Sequence, residues 1–282
     1  MLNKLKCLLI GYGNIAKIHA KYLEIKPNLE WYWYDPYIKN SSTDHNRVST
    51  LDKLNLFDKI FILTPEDSHY SIYKQVRAKF NKDIFIEKPA IVKHQEIDLL
   101  EDPKVFIGLV ERFNPTIETL KDNIEIDKII NLDFSRCCVA NAASPISVLK
   151  DISIHDIDLF FYLTQSRLED QKNISMNFSK NTVALQLSNK NIISRFIWSK
   201  DTFFKERKLI IRQTNCTYVA DLQEQKVTRY FYNSFNQTIS ESLYVEKGSP
   251  INNEQINFLS QNPEYVVGNR SHRFLLSLLN YD

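Results

Sequence analysis

Leu8-Leu9-Ile10-Gly11-Tyr12-Gly13-Asn14-Ile15-Ala16 is the stretch on which the fold turns. It reads as an apolar strand, a G-x-G-x-x-A turn, and a helix continued by Ile18, Tyr22 and Ile25. Gly11 permits the tight turn, Gly13 lets a pyrophosphate approach the backbone, and the small Ala16 allows close helix–strand contact. The helix dipole and the first backbone N–H groups, at Asn14 and Ile15, then face the phosphates. Asp35 follows the next apolar segment, Leu29–Tyr34, 22 positions after Gly13. That is near the ~20 at which an acidic residue meets the adenosine ribose. A carboxylate there hydrogen-bonds the ribose hydroxyls and repels a 2′-phosphate, so NAD is expected over NADP. The plainer alternatives are a tight turn without a ligand, and Asp35 as a turn former before Pro36.

Composition sharpens this reading. The chain has 5 Gly in 282 residues, where about 20 would be ordinary. Asn tolerates left-handed backbone and replaces Gly at many turns, so two glycines flanking one residue carry weight. Hydrophobic residues at 43% and charged residues at 25% are ordinary for a globular protein. No run approaches the ~18–20 apolar residues of a membrane span. The N-terminal apolar run lacks a small-residue cleavage site and reads as a strand. A net charge of +2 gives no polyanion-binding surface, so neither a nucleic acid nor a membrane is expected as partner. Cys7, Cys137, Cys138 and Cys216 show no CxxC spacing, so no metal site or disulfide framework is expected. Reduced thiols in the cytoplasm are the expectation.

Residues 1 to about 110 alternate strand-like and helix-like segments. Apolar runs at Lys6–Ile10, Asp58–Leu63, Asp83–Ile86 and Lys104–Gly108 are separated by helical patterns at Asn14–Ile25, Glu66–Phe80 and Lys93–Leu100. Such alternation predicts an α/β Rossmann fold, a doubly wound parallel sheet. The aromatic run Trp31-Tyr32-Trp33-Tyr34 reads as sheet core and edge. From about residue 128 the period changes to long strands: Ile129–Val139, Thr182–Leu187, Ile192–Trp198, Lys208–Arg212, Thr217–Leu222, Val227–Tyr232 and Ile239–Val245. One helix, Val148–Leu163, interrupts them, and two more lie near Asn253–Leu259 and Ser271–Leu279. This predicts an α+β C-terminal domain with a large open, mainly antiparallel sheet. The domains are expected at 1–115 (NAD binding) and 116–282 (substrate binding and dimerisation). The exposed sheet face needs cover, so a homodimer or homotetramer is expected.

Three clusters follow strand ends or share a helix face. Thr64-Pro65 follows one strand, with His69 a turn later. Glu87-Lys88-Pro89 follows the next. Asp151 and His155 stand four apart on one helix. Strand C-termini in a doubly wound sheet open onto the ligand crevice, which puts Thr64 and Lys88 on the rim of Gly11. Together with Gly108, Arg112-Phe113-Asn114-Pro115 and His155-Asp156-x-Asp158, this order of motifs resembles the glucose–fructose oxidoreductase/inositol dehydrogenase (Gfo/Idh/MocA) family. The matching elements span residues 7 to 163.

The resemblance implies a nicotinamide-dependent oxidoreductase acting on a sugar or cyclic polyol. It implies that Lys88 contacts the reacting hydroxyl, that His155 is the general acid/base and that Asp151 supports it. Hydride loss from a carbinol carbon leaves a proton that a histidine is suited to take, and an ammonium stabilises the alkoxide. Pro89 matches a proline often preceded by a cis bond. Gly11, Gly13, Asn14, Ile15, Asp35, Thr64, Pro65, His69 and Glu87 are the cofactor-side candidates. Lys88, Arg112, Asn114 and His155 are the substrate-side ones. His69 reads equally as a residue packed in its helix, and Arg112 and Asn114 equally as residues shaping a crossover. His19, His45, His94 and His272 receive no role. The segment Gly108–Pro115 resembles members that oxidise C3 of UDP-N-acetyl sugars, which suggests a nucleotide-linked sugar substrate. A free-sugar or inositol dehydrogenase is the alternative, and an inactive NAD-binding regulatory protein is the alternative of another class. One departure stands out: Ser144–Lys150 has no glycine where many members are Gly-rich.

Overall fold

A computed structural model describes residues 4–38, 44–139, 144–189, 191–260 and 269–280. Lys190 and Gly268 lie outside them. The chain forms two compact units, Met1–Leu109 with Ile251–His272, and Val110–Pro250 with Arg273–Asp282. The division is thus not a single cut after residue 115. Ile251–His272 joins the first unit because Phe258, fully buried, sets its ring 4.9 Å from Phe61, 5.6 Å from Phe85 and 5.4 Å from Phe106.

The first unit runs β1 (Leu5–Ile10), α1 (Asn14–Glu24), β2 (Leu29–Tyr34), β3 (Lys59–Ile62), α2 (His69–Arg77), β4 (Ile84–Glu87) and β5 (Val105–Gly108). Its sheet has the order β2-β1-β3-β4-β5, with every pairing parallel. β3 is buried along its whole length, as a strand covered on both faces must be. Trp31 and Trp33 are buried, with Tyr12 stacked on Trp33 at 4.4 Å. The helix expected at Lys93–Leu100 is a 3-10 segment, His94–Glu101. The Glu96 carboxylate accepts from the Val92 and Lys93 amides and closes its first turn. Gly108 is required by packing: a Cβ there would lie 2.8 Å from Phe85 Cζ.

The second unit begins with α3 (Pro115–Asn123) and β6 (Ile129–Val139). A short α4 (Pro145–Val148), a π-helical turn (Leu149–Ser153) and α5 (Ile154–Thr164) follow. Then come β7 (Gln171–Ser179), β8 (Thr182–Asn189), β9 (Ile192–Ser199), β10 (Asp201–Gln213), β11 (Thr217–Asp221), β12 (Lys226–Tyr232) and β13 (Thr238–Leu243). α6 (Pro250–Leu259) and α7 (Asn269–Leu279) close the described chain. The eight-stranded sheet has the order β13-β12-β11-β10-β6-β9-β8-β7. It is antiparallel except where β6 runs parallel to β9. Its inner face carries Leu132, Phe134, Phe196, Trp198, Leu209 and Ile211, all buried. α5 packs there through Phe160, 6.0 Å from Phe196. β7 has no counterpart among the strands expected from sequence. It is an edge strand with no fully buried residue, so it lacks the alternation that marks its neighbours. The single helix expected over Val148–Leu163 is broken by the π turn, a feature with no local breaker residue to announce it.

Candidate active site

The turn after β1 is built as its glycines require. Gly11 has φ +89°, and a Cβ there would come within 2.9 Å of the Leu63 carbonyl group and 2.8 Å of Thr64 Cγ2. Gly11 and the end of β3 are therefore in contact. Gly13 is the N-cap of α1 and supplies no side-chain cap, and no acidic residue stands in the first turn. A Cβ at Gly13 would meet nothing within 4 Å. The first N–H groups of α1, at Asn14 and Ile15, thus lie beside open space at the positive end of a helix dipole. This arrangement fits a dinucleotide pyrophosphate.

Asp35, just past β2, accepts from the Tyr12 amide at 3.0 Å and the Tyr37 amide at 2.8 Å, one on each oxygen. A carboxylate has about four acceptor sites, so the two oxygens retain capacity for ribose hydroxyls. The same contact locks the middle residue of the glycine turn. Arg47 lies over the Trp33 ring and donates to the Asp35 carbonyl.

At the end of β3, the Thr64 and Ser68 hydroxyls are hydrogen-bonded, and Ser68 also donates to the Pro65 carbonyl. His69 is buried, with Nδ1 2.9 Å from the Pro89 carbonyl oxygen and Nε2 2.7 Å from that of Thr64. It ties the end of β3 to the end of β4. Glu87 is likewise engaged. It accepts from His19 Nε2 and from the Lys88 amide. Lys88 is half-buried and the Lys88–Pro89 bond is cis.

In the second unit, Asp151 lies in the π turn and His155 in the first turn of α5. Single π turns often mark functional positions in helices. Asp151 is about half exposed and His155 half-buried. The Lys200 ammonium stands 2.7 Å from the Asp151 carboxylate. Lys200 sits between β9 and β10 and was not among the sequence candidates; a lone lysine between two strands carries no local signal.

The acids that follow His155 are structural anchors. Asp156 accepts from Arg136 Nε and Nη2 on one oxygen and from Trp198 Nε1 on the other. Arg136 also donates to Glu111, which accepts from Arg207 as well. Arg136, Glu111 and Asp156 are all buried. Burial works against the Glu111 charge, yet Arg136 and Arg207 outweigh it and hold that carboxyl below its ordinary range. Burial pushes the Asp156 carboxyl up, and Arg136 opposes the rise. Asp158 takes a bidentate pair from Arg112 at 2.6 Å on each oxygen. Arg112 also lies over the Tyr162 ring. Asn114 caps α3 by accepting from the Thr116 amide, and it donates to Glu111 and the Leu222 carbonyl. At 2% exposure it holds the segment after β5 in place. Lys88 and the cofactor-side residues belong to the first unit; Arg112, Asn114, Asp151 and His155 belong to the second.

No family model and no curated protein sequence matches the chain. Solved structures do. A UDP-N-acetylglucosamine 3-dehydrogenase from Acidithiobacillus ferrooxidans matches with TM-score 0.84 and 18% identity, over 97% of this chain and 96% of that one. A dehydrogenase from Clostridium difficile matches with TM-score 0.79 and 16% identity, over 98% and 99%. An oxidoreductase from Desulfitobacterium hafniense, described as NADPH-dependent, matches with TM-score 0.84 and 13% identity, over 99% and 96%. The chain therefore shares its fold, a parallel α/β unit and a unit built on a large mainly antiparallel sheet, with these dehydrogenases and oxidoreductases.

Proposed function

We propose that the protein is a nicotinamide-dependent oxidoreductase that interconverts a sugar hydroxyl and the corresponding ketone. The observation that carries this reading is the N-terminus of α1, uncapped and open at Gly13, beside the carboxylate of Asp35. Gly11, Gly13, Asn14 and Ile15 would hold the pyrophosphate, Asp35 the ribose, and Thr64 and Pro65 the rim beside it. The nicotinamide, when bound, supplies the hydride acceptor. Lys88 stabilises the oxygen of the reacting carbinol as it gains negative charge. His155 takes the hydroxyl proton, and Asp151, four residues before it, is paired with Lys200. NAD is the proposed cofactor, because the Asp35 carboxylate opposes a 2′-phosphate.

The proposed substrate is a nucleotide-linked N-acetyl sugar oxidised at C3. The resemblance of Gly108–Pro115 supports it, as does the fold shared with a UDP-N-acetylglucosamine 3-dehydrogenase. The test is absorbance at the reduced-nicotinamide band, with NAD or NADP and a panel of UDP-sugars, free sugars and inositols. Turnover with a UDP-N-acetyl sugar and NAD is the expected result. Turnover only with free sugars or inositol moves the substrate class. No turnover with any of them, while NAD still binds, overturns the enzyme reading in favour of a regulatory protein.

A further inference from the structure

Three buried histidines from three separate helices meet the four-residue turn that carries Lys88. β4 ends at Glu87, whose ladder partner is Gly108. Beyond it the chain leaves the sheet and its backbone groups lose their ladder partners. Three of them are taken up by side chains. The Lys88 amide donates to Glu87 Oε2 at 2.9 Å. The Pro89 carbonyl faces His69 Nδ1 at 2.9 Å. The Ala90 amide donates to His272 Nε2 at 3.0 Å. The Glu87 carboxylate is itself held by His19 Nε2 at 3.3 Å.

Partner chemistry assigns the ring hydrogens. Gln255 Nε2 can only donate, so His19 Nδ1 accepts from it at 2.9 Å and His19 Nε2 donates to Glu87. Ala90 N–H can only donate, so His272 Nε2 accepts. Carbonyl oxygens only accept and a neutral imidazole has a single N–H, so the His69 tautomer decides whether its ring donates to the Pro89 or to the Thr64 carbonyl, both of which it faces. His19 and His272 have no exposed surface and His69 has 1%. None of the three is placed to meet a ligand from solvent. All belong to the first unit, and His272 and Gln255 come from the C-terminal segment that returns to it.

We propose that His19, His69 and His272 are positioning residues for Lys88: they fix the backbone on both sides of it, so that only its own side-chain torsions set where the ammonium lies. This rests on the reading of Lys88 as the group that meets the reacting oxygen, and it replaces a cofactor contact as the role of His69. It also gives the return of Ile251–His272 a purpose beyond packing.

The test is site-resolved amide hydrogen exchange at Lys88 and Ala90, together with steady-state kinetics and NAD binding, in the full chain. His272→Phe keeps ring volume and removes the acceptor; His272→Gln keeps an acceptor. His272→Phe is expected to speed exchange at Ala90 at least tenfold and to lower kcat at least tenfold, with NAD affinity within twofold of wild type. His272→Gln is expected to restore most of both. His19→Phe is expected to act in the same way at the Lys88 amide, through Glu87, and serves if His272→Phe does not fold. Unchanged exchange in a folded variant overturns the proposal. So does faster exchange with unchanged kcat. If the wild type turns over none of the sugars, the proposed function fails, and the exchange arm alone still decides whether the histidines fix the turn.

Discussion

The Lys200 ammonium lies 2.7 Å from the Asp151 carboxylate, the group four residues before His155. Lys200 is 12% exposed and Asp151 51%. The Asp151 end is solvated, so the pair stabilises the fold by roughly 1 kcal/mol or less. Its effect is on position. Lys200→Met should leave the unfolding midpoint almost unchanged while lowering kcat about tenfold or more, since small misplacements of catalytic groups are costly. Lys200→Arg should recover part of the loss. Thermal unfolding and steady-state rates on the three proteins check this.

Arg136 bridges two buried carboxylates, Glu111 and Asp156. Removing it leaves both charges uncompensated, so Arg136→Met should destabilise by about 3–5 kcal/mol in denaturant titration. The network also sets an acid response. Glu111 is held below its ordinary carboxyl range in the fold. Its stabilising contribution is therefore present above the unfolded-chain value of about 4.3 and is lost as pH falls through the lower folded value. Glu111→Gln should be less stable than wild type near neutrality, and the two should converge in acid. A gap that does not narrow in acid would show that the Glu111 charge is not what stabilises the fold.

Gly13 separates binding from folding. A Cβ there meets no protein atom within 4 Å, and its φ of −76° suits any residue. Gly13→Ala should fold with a stability change under about 1 kcal/mol. If the space beside Gly13 receives a pyrophosphate, NAD affinity should fall about tenfold or more, some 1.4 kcal/mol. Calorimetric titration with NAD distinguishes the two outcomes.

The outer face of the large sheet presents Ile193 and Ile197, 49% and 44% exposed. They flank Arg195, which pairs with Asp133 on β6 at 2.7 and 2.9 Å. An apolar and charge-paired face of this kind suits a second copy of the same chain. Light scattering should show a dimer or tetramer for the wild type and a smaller species for Ile193→Glu combined with Ile197→Glu. A wild-type monomer would remove this face as an interface.

Much of the fold was legible because its signals are local. Gly11, Gly13 and Ala16 mark one turn, and the apolar runs of β1, β3, β4 and β5 mark a buried parallel sheet. The long alternating strands from Ile129 onward mark the open one. What stayed hidden is non-local or unpatterned. Phe258 reads as any helix apolar residue until its ring is seen against Phe61 and Phe85. His272 bonds Ala90 across 182 positions. The π turn at Leu149–Ser153 has no Gly or Pro to signal it. Of the residues proposed to act in catalysis, Lys88, Asp151 and His155 are legible as motif residues. Lys200, Arg136 and the roles of His19 and His272 are not, because a single charged or imidazole side chain acquires meaning only from its partner.

Whether the Lys88 ammonium meets the reacting oxygen is decided by Lys88→Ala, assayed at the reduced-nicotinamide band alongside NAD titration. Turnover is expected to fall by about a hundredfold or more while NAD affinity stays within a few-fold of wild type. Retained turnover in that variant would contradict that contact.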